Sequence, residues 1–236
     1  NKPGQLYWSD THVKITGPGV YYLQYLFISD WNFCSGKHLK LERDFFCTKP
    51  TAHGKAVVQI AASGPDSDAP TLMFSMVQAI ALAEKELLIT TPYFIPGENI
   101  MHVLHVAAKS GVKIKLLVPD KSDSALVNAA ARSYYGELSA AGIEIYLYKK
   151  GFVHAKTLVS DGQLVVIGTA NMDHRSYELN FEVNSMIYDT AIAEQLREVF
   201  YNDIKDAKKI SPATWKRLPL YKQMPEKVVR LISPLL

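Results

Sequence analysis

The sequence predicts an α/β protein built on a mixed, largely parallel sheet with helices on both faces. From residue 56 onward, short apolar runs alternate with segments of helical period. This alternation is typical of βα units and of a sheet that is covered on both sides. The 236 residues and 48% hydrophobic content are sufficient for a sizeable core.

The predicted elements follow at regular intervals as far as residue 148. Apolar runs predict four strands, at 56–62, 87–91, 112–118 and 143–148. Helical periods lie between them, at 72–80, 99–110 and 124–141. Gly111 and Gly142 end the last two helices, since glycine readily adopts the left-handed conformation of a helix C-terminus.

The pattern changes after Lys150 from βα units to β-rich runs. Two such runs, 152–160 and 163–168, are separated by Asp161-Gly162, which is a strong hairpin signal. A further strand at 181–188 and an amphipathic helix around 192–204 follow. We therefore expect a hairpin and one more strand beside the βα series.

Charge, cysteines and hydropathy restrict the function only loosely. The net charge of +3 is compatible with anionic lipid or nucleic acid and identifies neither. Cys34 and Cys47 lack the spacing of a zinc site, so we expect reduced thiols and no metal. The longest apolar stretch is interrupted at residues 84–86 by three charges, which leaves no run long enough to span a bilayer.

Both ends of the chain fall outside the α/β series. Residues 1–50 do not fit it and begin without Met, so we expect them to be the tail of a truncated preceding unit. Residues 51–207 would form the main unit, with 148–175 as the active-site segment. Residues 208–236 mix basic and apolar side chains and would lie on an anionic membrane surface or pack as a solvated C-terminal segment.

The segment 151–171 carries the chemistry. His154 and Lys156 are two residues apart on a predicted strand, so their side chains point to the same face. The hairpin then brings Thr169 and Asn171 back beside them. An imidazole, an ammonium, a hydroxyl and a carboxamide can together attack phosphorus and hold negative oxygens.

The spacing H-x-K-x4-D followed by G-[S/T]-x-N resembles the signature of the phospholipase D superfamily. Six positions agree with it: His154, Lys156, Asp161, Gly168, Thr169 and Asn171. Three other H-x-K pairs, which begin at His12, His38 and His53, lack the aspartate, so the bare pair carries no information. Flanking phrases resemble cardiolipin synthases in particular, among them 8–17, 62–65, 91–96, 171–176 and 179–183.

The resemblance implies a phospholipase D-like fold and phosphatidyl transfer between two phosphatidylglycerol molecules, which gives cardiolipin and glycerol. His154 would be the nucleophile or the leaving-group acid, and a phosphohistidine would form without metal or cofactor. The catalytic set would also include Lys156 and Asp161, although an aspartate before glycine is often a turn residue. Lys156, Thr169 and Asn171 would hold phosphoryl oxygens, and Glu182 would hydrogen-bond and orient the imidazole.

Members of the family carry two such motifs on one chain, and this sequence has one. The resemblance thus implies that activity needs the missing N-terminal half or a second copy of the motif. The partners would be phosphatidylglycerol and the cytoplasmic side of a membrane, with no nucleic acid. Three alternatives remain: a hydrolase that uses water, a single-motif homodimeric nuclease, which the weak charge disfavours, and a silent membrane-associated scaffold.

Overall fold

A computed structural model describes residues 7–42, 45–46, 54–212 and 228–230. The helices in this part of the chain are α1 (Val20–Ser35), α2 (Thr71–Ala81), α3 (Glu98–Lys109), α4 (Ala125–Ala141), α5 (His174–Glu178) and α6 (Thr190–Asp203). The strands are β1 (Trp8–Ser9), β2 (Val57–Ser63), β3 (Glu86–Thr90), β4 (Phe94–Ile95), β5 (Lys113–Pro119), β6 (Glu144–Tyr148), β7 (Phe152–Val153), β8 (Thr157–Ser160), β9 (Leu164–Gly168), β10 (Met172–Asp173), β11 (Glu182–Tyr188) and β12 (Ala207–Lys209).

Eight of these strands form one sheet in the order β12-β6-β5-β3-β8-β9-β11-β2. The predicted mixed sheet is confirmed, but its parallel share is smaller than predicted: two pairings are parallel and five are antiparallel. The parallel pairs join β3, β5 and β6, which are connected by helices. β2 and β3 also belong to a βα unit, but β8, β9 and β11 lie between them and pair antiparallel.

Apolar side chains form a core on each face of the sheet, which confirms the predicted helices on both faces. On one face, α2, α3 and α4 cover the strands with residues such as Leu72, Leu104 and Leu138. On the other face, α6 buries Ala193 and Phe200 against the strands. The sheet is thus shielded from water on both sides, and polar groups gather where its strands end.

The predicted bounds hold to within two residues for the elements of the βα series, because their periodicity is local. The run predicted at 152–160 is broken into β7 and β8, and residues 154–156 lie between them. The prediction also omitted α1 and β1. Strand β12 extends the sheet into the start of the predicted C-terminal tail, of which only residues 208–212 and 228–230 are described.

Helix α1 exposes an unusual number of large apolar side chains. Phe27, Trp31 and Phe33 are at least 45% exposed, whereas Ile28 is buried.

No helix in the described part of the chain is both long and apolar enough to cross a bilayer. Of the two cysteines, Cys34 is free and exposed at the end of α1, and Cys47 lies outside the described residues.

Candidate active site

The site begins where β1 pairs with β7, in a parallel ladder separate from the main sheet. The N–H of Phe152 donates to the Tyr7 carbonyl and the N–H of His154 to the Ser9 carbonyl, both at 2.7 Å. A side chain at Gly151 would prevent this pairing, since its Cβ would lie 2.2 Å from the Tyr7 oxygen. The absence of a side chain at this one position lets β1 reach the histidine.

The imidazole of His154 is held on both nitrogens. Its Nδ1 lies 3.2 Å from Oδ2 of Asp10, and its Nε2 lies 2.9 Å from Nζ of Lys156. Because a carboxylate can only accept, Nδ1 carries the proton, and the lone pair on Nε2 accepts a hydrogen bond from the Lys156 ammonium. Trp8 packs over the ring with centroids 4.8 Å apart. The residue is therefore oriented as a base or nucleophile at Nε2.

Lys156 lies beside the imidazole at the break between β7 and β8. Its ammonium also donates to the His154 carbonyl at 2.6 Å. Burial lowers the pKa of this lysine to about 8, and the charges of Asp10, Glu182 and Asp173 oppose that shift. The predicted meeting of His154 and Lys156 is thus present in the structure, although neither residue lies in a regular strand.

Asp10 is a functional candidate that the sequence analysis missed. Burial raises the pKa of its carboxyl, but the hydrogen bonds with His154 and Thr11 outweigh burial, so the pKa lies below its ordinary value. Asp10 is therefore the carboxylate at the imidazole. The phrase 8–17 contains this residue, yet no spacing rule links it to a histidine 144 positions later.

Glu182, which was predicted to orient the imidazole, does not make that contact. Its Oε1 accepts a hydrogen bond of 3.1 Å from Asn180, and Asp10 occupies the Nδ1 side of the ring. Glu182 still faces the site, because its charge acts on Lys156. The reason for the difference is topological: β1 delivers a second carboxylate that the hairpin pattern could not reveal.

Asp161 lies apart from the reacting groups, so its placement in the catalytic set is corrected. β8 separates it from His154, and its carboxylate accepts three backbone N–H groups at 2.8 Å, from Glu84, Lys85 and Glu86. It adopts the left-handed region at φ 52°. Its contacts fasten the hairpin to the start of β3, which is a structural role.

Thr169 and Asn171 follow β9, as predicted. The Thr169 hydroxyl accepts the Val183 N–H at 3.0 Å and so fixes the start of β11. The Asn171 side chain donates to Asp173, and its buried Oδ1 has no partner among the described residues. Its Nδ2 carries two N–H groups, so the one that Asp173 does not accept can donate to a phosphoryl oxygen.

Asp173 is a further carboxylate near the site to which no sequence motif pointed. It is 6% exposed and caps α5 by accepting the Ser176 N–H at 2.7 Å. Burial raises the pKa of its carboxyl despite those bonds. In the described part of the chain, no cluster of three or more His, Cys, Asp or Glu side chains could hold a metal ion.

Comparison with known proteins shows the family of the chain. The family described as cardiolipin synthase, PLD-like domain, matches residues 76–204, which include the histidine, the lysine and the hairpin. The chain belongs to this family. This PLD-like domain contains His154, Lys156 and Asn171 in the order that the resemblance predicted, so the predicted family is confirmed.

Curated relatives carry the same name over a longer chain. The chain is 40% identical over 233 residues to a cardiolipin synthase of Listeria monocytogenes. This match covers 98% of the chain and 48% of the relative. It is 39% identical over 230 residues to a major cardiolipin synthase of Bacillus subtilis, with the same coverage. The chain thus spans about half the length of the curated relatives it matches.

Solved structures share the fold at low identity. Nuc, a phospholipase D family member from Salmonella typhimurium, matches with a TM-score of 0.57 and 20% identity, over 66% of this chain and 99% of that one. A phosphatidylserine synthase from Haemophilus influenzae matches with a TM-score of 0.59 and 18% identity, over 77% of this chain and 48% of that one. These likenesses concern the phospholipase D-like fold, which the sequence predicted.

Proposed function

We propose that the chain is the second half of a cardiolipin synthase and transfers a phosphatidyl group between two phosphatidylglycerol molecules. The observation that supports this most is the imidazole of His154, held by Asp10 on one nitrogen and faced by Lys156 on the other. The sequence identity to cardiolipin synthases supports a phospholipid as the substrate. Residues 1–50 would then be the tail of the first half and residues 51–207 the second.

The first displacement breaks the bond from phosphorus to the headgroup glycerol. Nε2 of one histidine forms a P–N bond, and the partner histidine of the other half gives its proton to the departing glycerol alkoxide. In the second displacement, the partner accepts the proton of the acceptor hydroxyl. The new P–O bond forms as the P–N bond breaks, and His154 serves either as the nucleophile or as the acid.

The charges at the site suit a phosphodiester. Lys156 would neutralise a non-bridging oxygen once it leaves Nε2 of His154, and Asn171 would donate to another through the N–H that Asp173 does not accept. Thr169 would contribute indirectly, by holding β11 in place. Loss of one donor to such oxygens costs on the order of 10² to 10³ in rate.

Phosphatidylglycerol is a membrane lipid, so the proposed substrate places the protein at a membrane surface. We propose the cytoplasmic side. The second motif would come from the N-terminal half of the same protein or from another copy of this chain. Nucleic acid is not among the proposed partners.

The test mixes the purified chain with a separately expressed N-terminal half of a related synthase and vesicles of labelled phosphatidylglycerol. Cardiolipin and an equal amount of free glycerol should form in the mixture and hardly at all with the chain alone. His154→Ala should abolish both products, while the exposed His102→Ala serves as the matched control. Phosphatidic acid as the sole product would indicate a hydrolase, and no lipid product would reject the proposal.

A further inference from the structure

A cleft of about 510 Å³ lies between α1 and the adjoining ends of β2 and β11. Aromatic rings, hydroxyls and carboxylates share its walls: Tyr22, Tyr25, Phe27, Ser63, Phe181 and Asp30 are among them. Asp66 and Glu182 add two more carboxylates. Among the described residues that line the cleft there is no lysine or arginine, so an anion would be repelled from it.

The hydroxyl of Ser63 is a buried polar group at this cleft. It is 5% exposed, and its Oγ has no hydrogen-bond partner among the described residues. A buried hydroxyl in this state costs about 1–3 kcal/mol relative to a paired one. The serine belongs to the phrase 62–65, which the catalytic assignment does not use. The residue also lines the cleft, so a ligand hydroxyl that reaches this buried oxygen would satisfy it.

The wall around Ser63 is tightly built. The Gly64 N–H donates to Oγ of Ser67 at 2.9 Å, and the Ser67 N–H donates back to the Gly64 carbonyl at 3.0 Å. A Cβ on Gly64 would lie 2.5 Å from the ring of Phe181, so the loop packs directly against that ring. The ring of Phe33 lies 5.6 Å from it on the α1 side. The cleft therefore has a defined shape.

Glu182 is common to the cleft and to the surroundings of Lys156. Glu182 lines it and pairs with Ser63 across the β2–β11 ladder, and its charge also acts on Lys156. On the opposite wall, burial and the neighbouring charge of Asp66 raise the pKa of Asp30. Three carboxylates and a hydroxyl thus line one volume, and all of them can accept a hydrogen bond from a ligand.

We propose that this cleft binds the glycerol headgroup of the acceptor phosphatidylglycerol. The inference rests on the proposed function and specifies how the acceptor is recognised. Vicinal hydroxyls donate to Asp30 and Asp66 and pair with Ser63, while the aromatic rings cover the carbon atoms. The phosphate stays outside, because the carboxylates repel it and Lys156 attracts it.

The test measures the partition of the phosphatidyl group between glycerol-bearing acceptor and water. In the active mixture described above, the ratio of cardiolipin to phosphatidic acid should fall about two- to tenfold in Ser63→Ala, which corresponds to one hydrogen bond. Asp30→Asn should lower the ratio in the same way. Asp68→Asn, in the same loop but outside the cleft, and Ser75→Ala are the matched controls.

Unchanged ratios in Ser63→Ala and Asp30→Asn would overturn the inference while leaving the proposed function intact. If neither the wild type nor any variant turns over lipid, the proposed function fails. A binding measurement then tests whether the cleft takes a polyol. In that measurement, the isotope-labelled chain is titrated by NMR with glycerol, ethanolamine and inorganic phosphate. Glycerol should shift the signals of residues 62–67; stronger shifts from ethanolamine or phosphate would reject a polyol site.

Discussion

Oδ2 of Asp10 lies 3.2 Å from Nδ1 of His154, although 144 residues separate the two in sequence. The contact sets which imidazole nitrogen carries the proton, and so which nitrogen faces the substrate. It is delivered by a two-residue strand outside the main sheet. The reactivity of the histidine therefore depends on a segment that lies far from the family motif.

Replacing that carboxylate should impair the histidine without removing it. We expect Asp10→Asn to lower turnover in the active mixture by about 10² or more, because an amide can reverse the tautomer that the carboxylate enforces. The ¹⁵N shifts of His154 should report a larger fraction of the Nε2–H form. Asp68→Asn, at an exposed carboxylate away from the histidine, is the control for charge, and an Asp10→Asn protein with unchanged ¹⁵N shifts would contradict the assignment.

Substitution of Gly151 should reduce turnover as much as substitution of Asp10. In Gly151→Ala, the new Cβ would meet the Tyr7 carbonyl, so β1 must move away from β7 and carry Asp10 with it. The variant should therefore show the ¹⁵N shifts and reduced turnover of Asp10→Asn. Combined, the two substitutions should cost little more than either alone, since both remove one contact. Fully additive losses would argue against the shared cause.

The ammonium of Lys156 should lose its charge as the pH rises through about 8. Its pKa of about 8 predicts that tungstate, a dianion throughout this range, binds more weakly as the pH rises through 8. Lys156→Arg should retain binding to higher pH, because guanidinium stays protonated. Isothermal titration calorimetry from pH 6.5 to 9.5 measures both. Parallel pH profiles for lysine and arginine would refute the lowered pKa.

The same lysine should make stability depend on pH in a defined direction. Its folded pKa lies below the ordinary 10.5, so between about 8 and 10.5 the unfolded chain binds more protons than the folded one. Its contribution to the free energy of unfolding should thus increase as the pH rises through that window. Urea unfolding of wild type and Lys156→Met measures the difference, which should narrow toward high pH as the buried charge disappears.

Asp161 should matter for stability. We expect Asp161→Asn, which tolerates the left-handed backbone, to lose about 1–3 kcal/mol of unfolding free energy through weaker bonds to three N–H groups. Burial raises the pKa of this carboxyl, but those bonds lower it below its ordinary value. The stabilisation is therefore present at neutral pH and disappears as the pH falls through the folded pKa. Asp68→Asn should unfold like wild type.

Local patterns sufficed for much of the fold and for the central pair of the site. The strands and helices between β2 and β6 follow periodicities of a few residues, and His154 and Lys156 meet because they are two positions apart. The order of the strands in the sheet was harder to predict, because β2 lies at the far edge and pairs with β11. Such pairing is decided by packing between distant segments.

The remaining errors at the site have the same physical origin. Asp10 was missed because β1 is two residues long and has no periodicity to read. Asp161 was placed among the catalytic residues because it belongs to the H-x-K-x4-D spacing. Its structural role was hidden, since its three partners are backbone groups more than 70 positions earlier, which carry no side-chain signature.

The short β1–β7 ladder also has a kinetic meaning. It closes a loop of about 140 residues, and two backbone hydrogen bonds, from Phe152 and His154, hold it. The entropy lost on closing the loop is therefore large compared with the enthalpy gained from these bonds. Such a ladder should form late in folding and open often in the native state, while the central strands stay closed. In hydrogen exchange, the amides of Phe152 and His154 should therefore lose protection through subglobal opening, and each opening would briefly release the imidazole from its carboxylate.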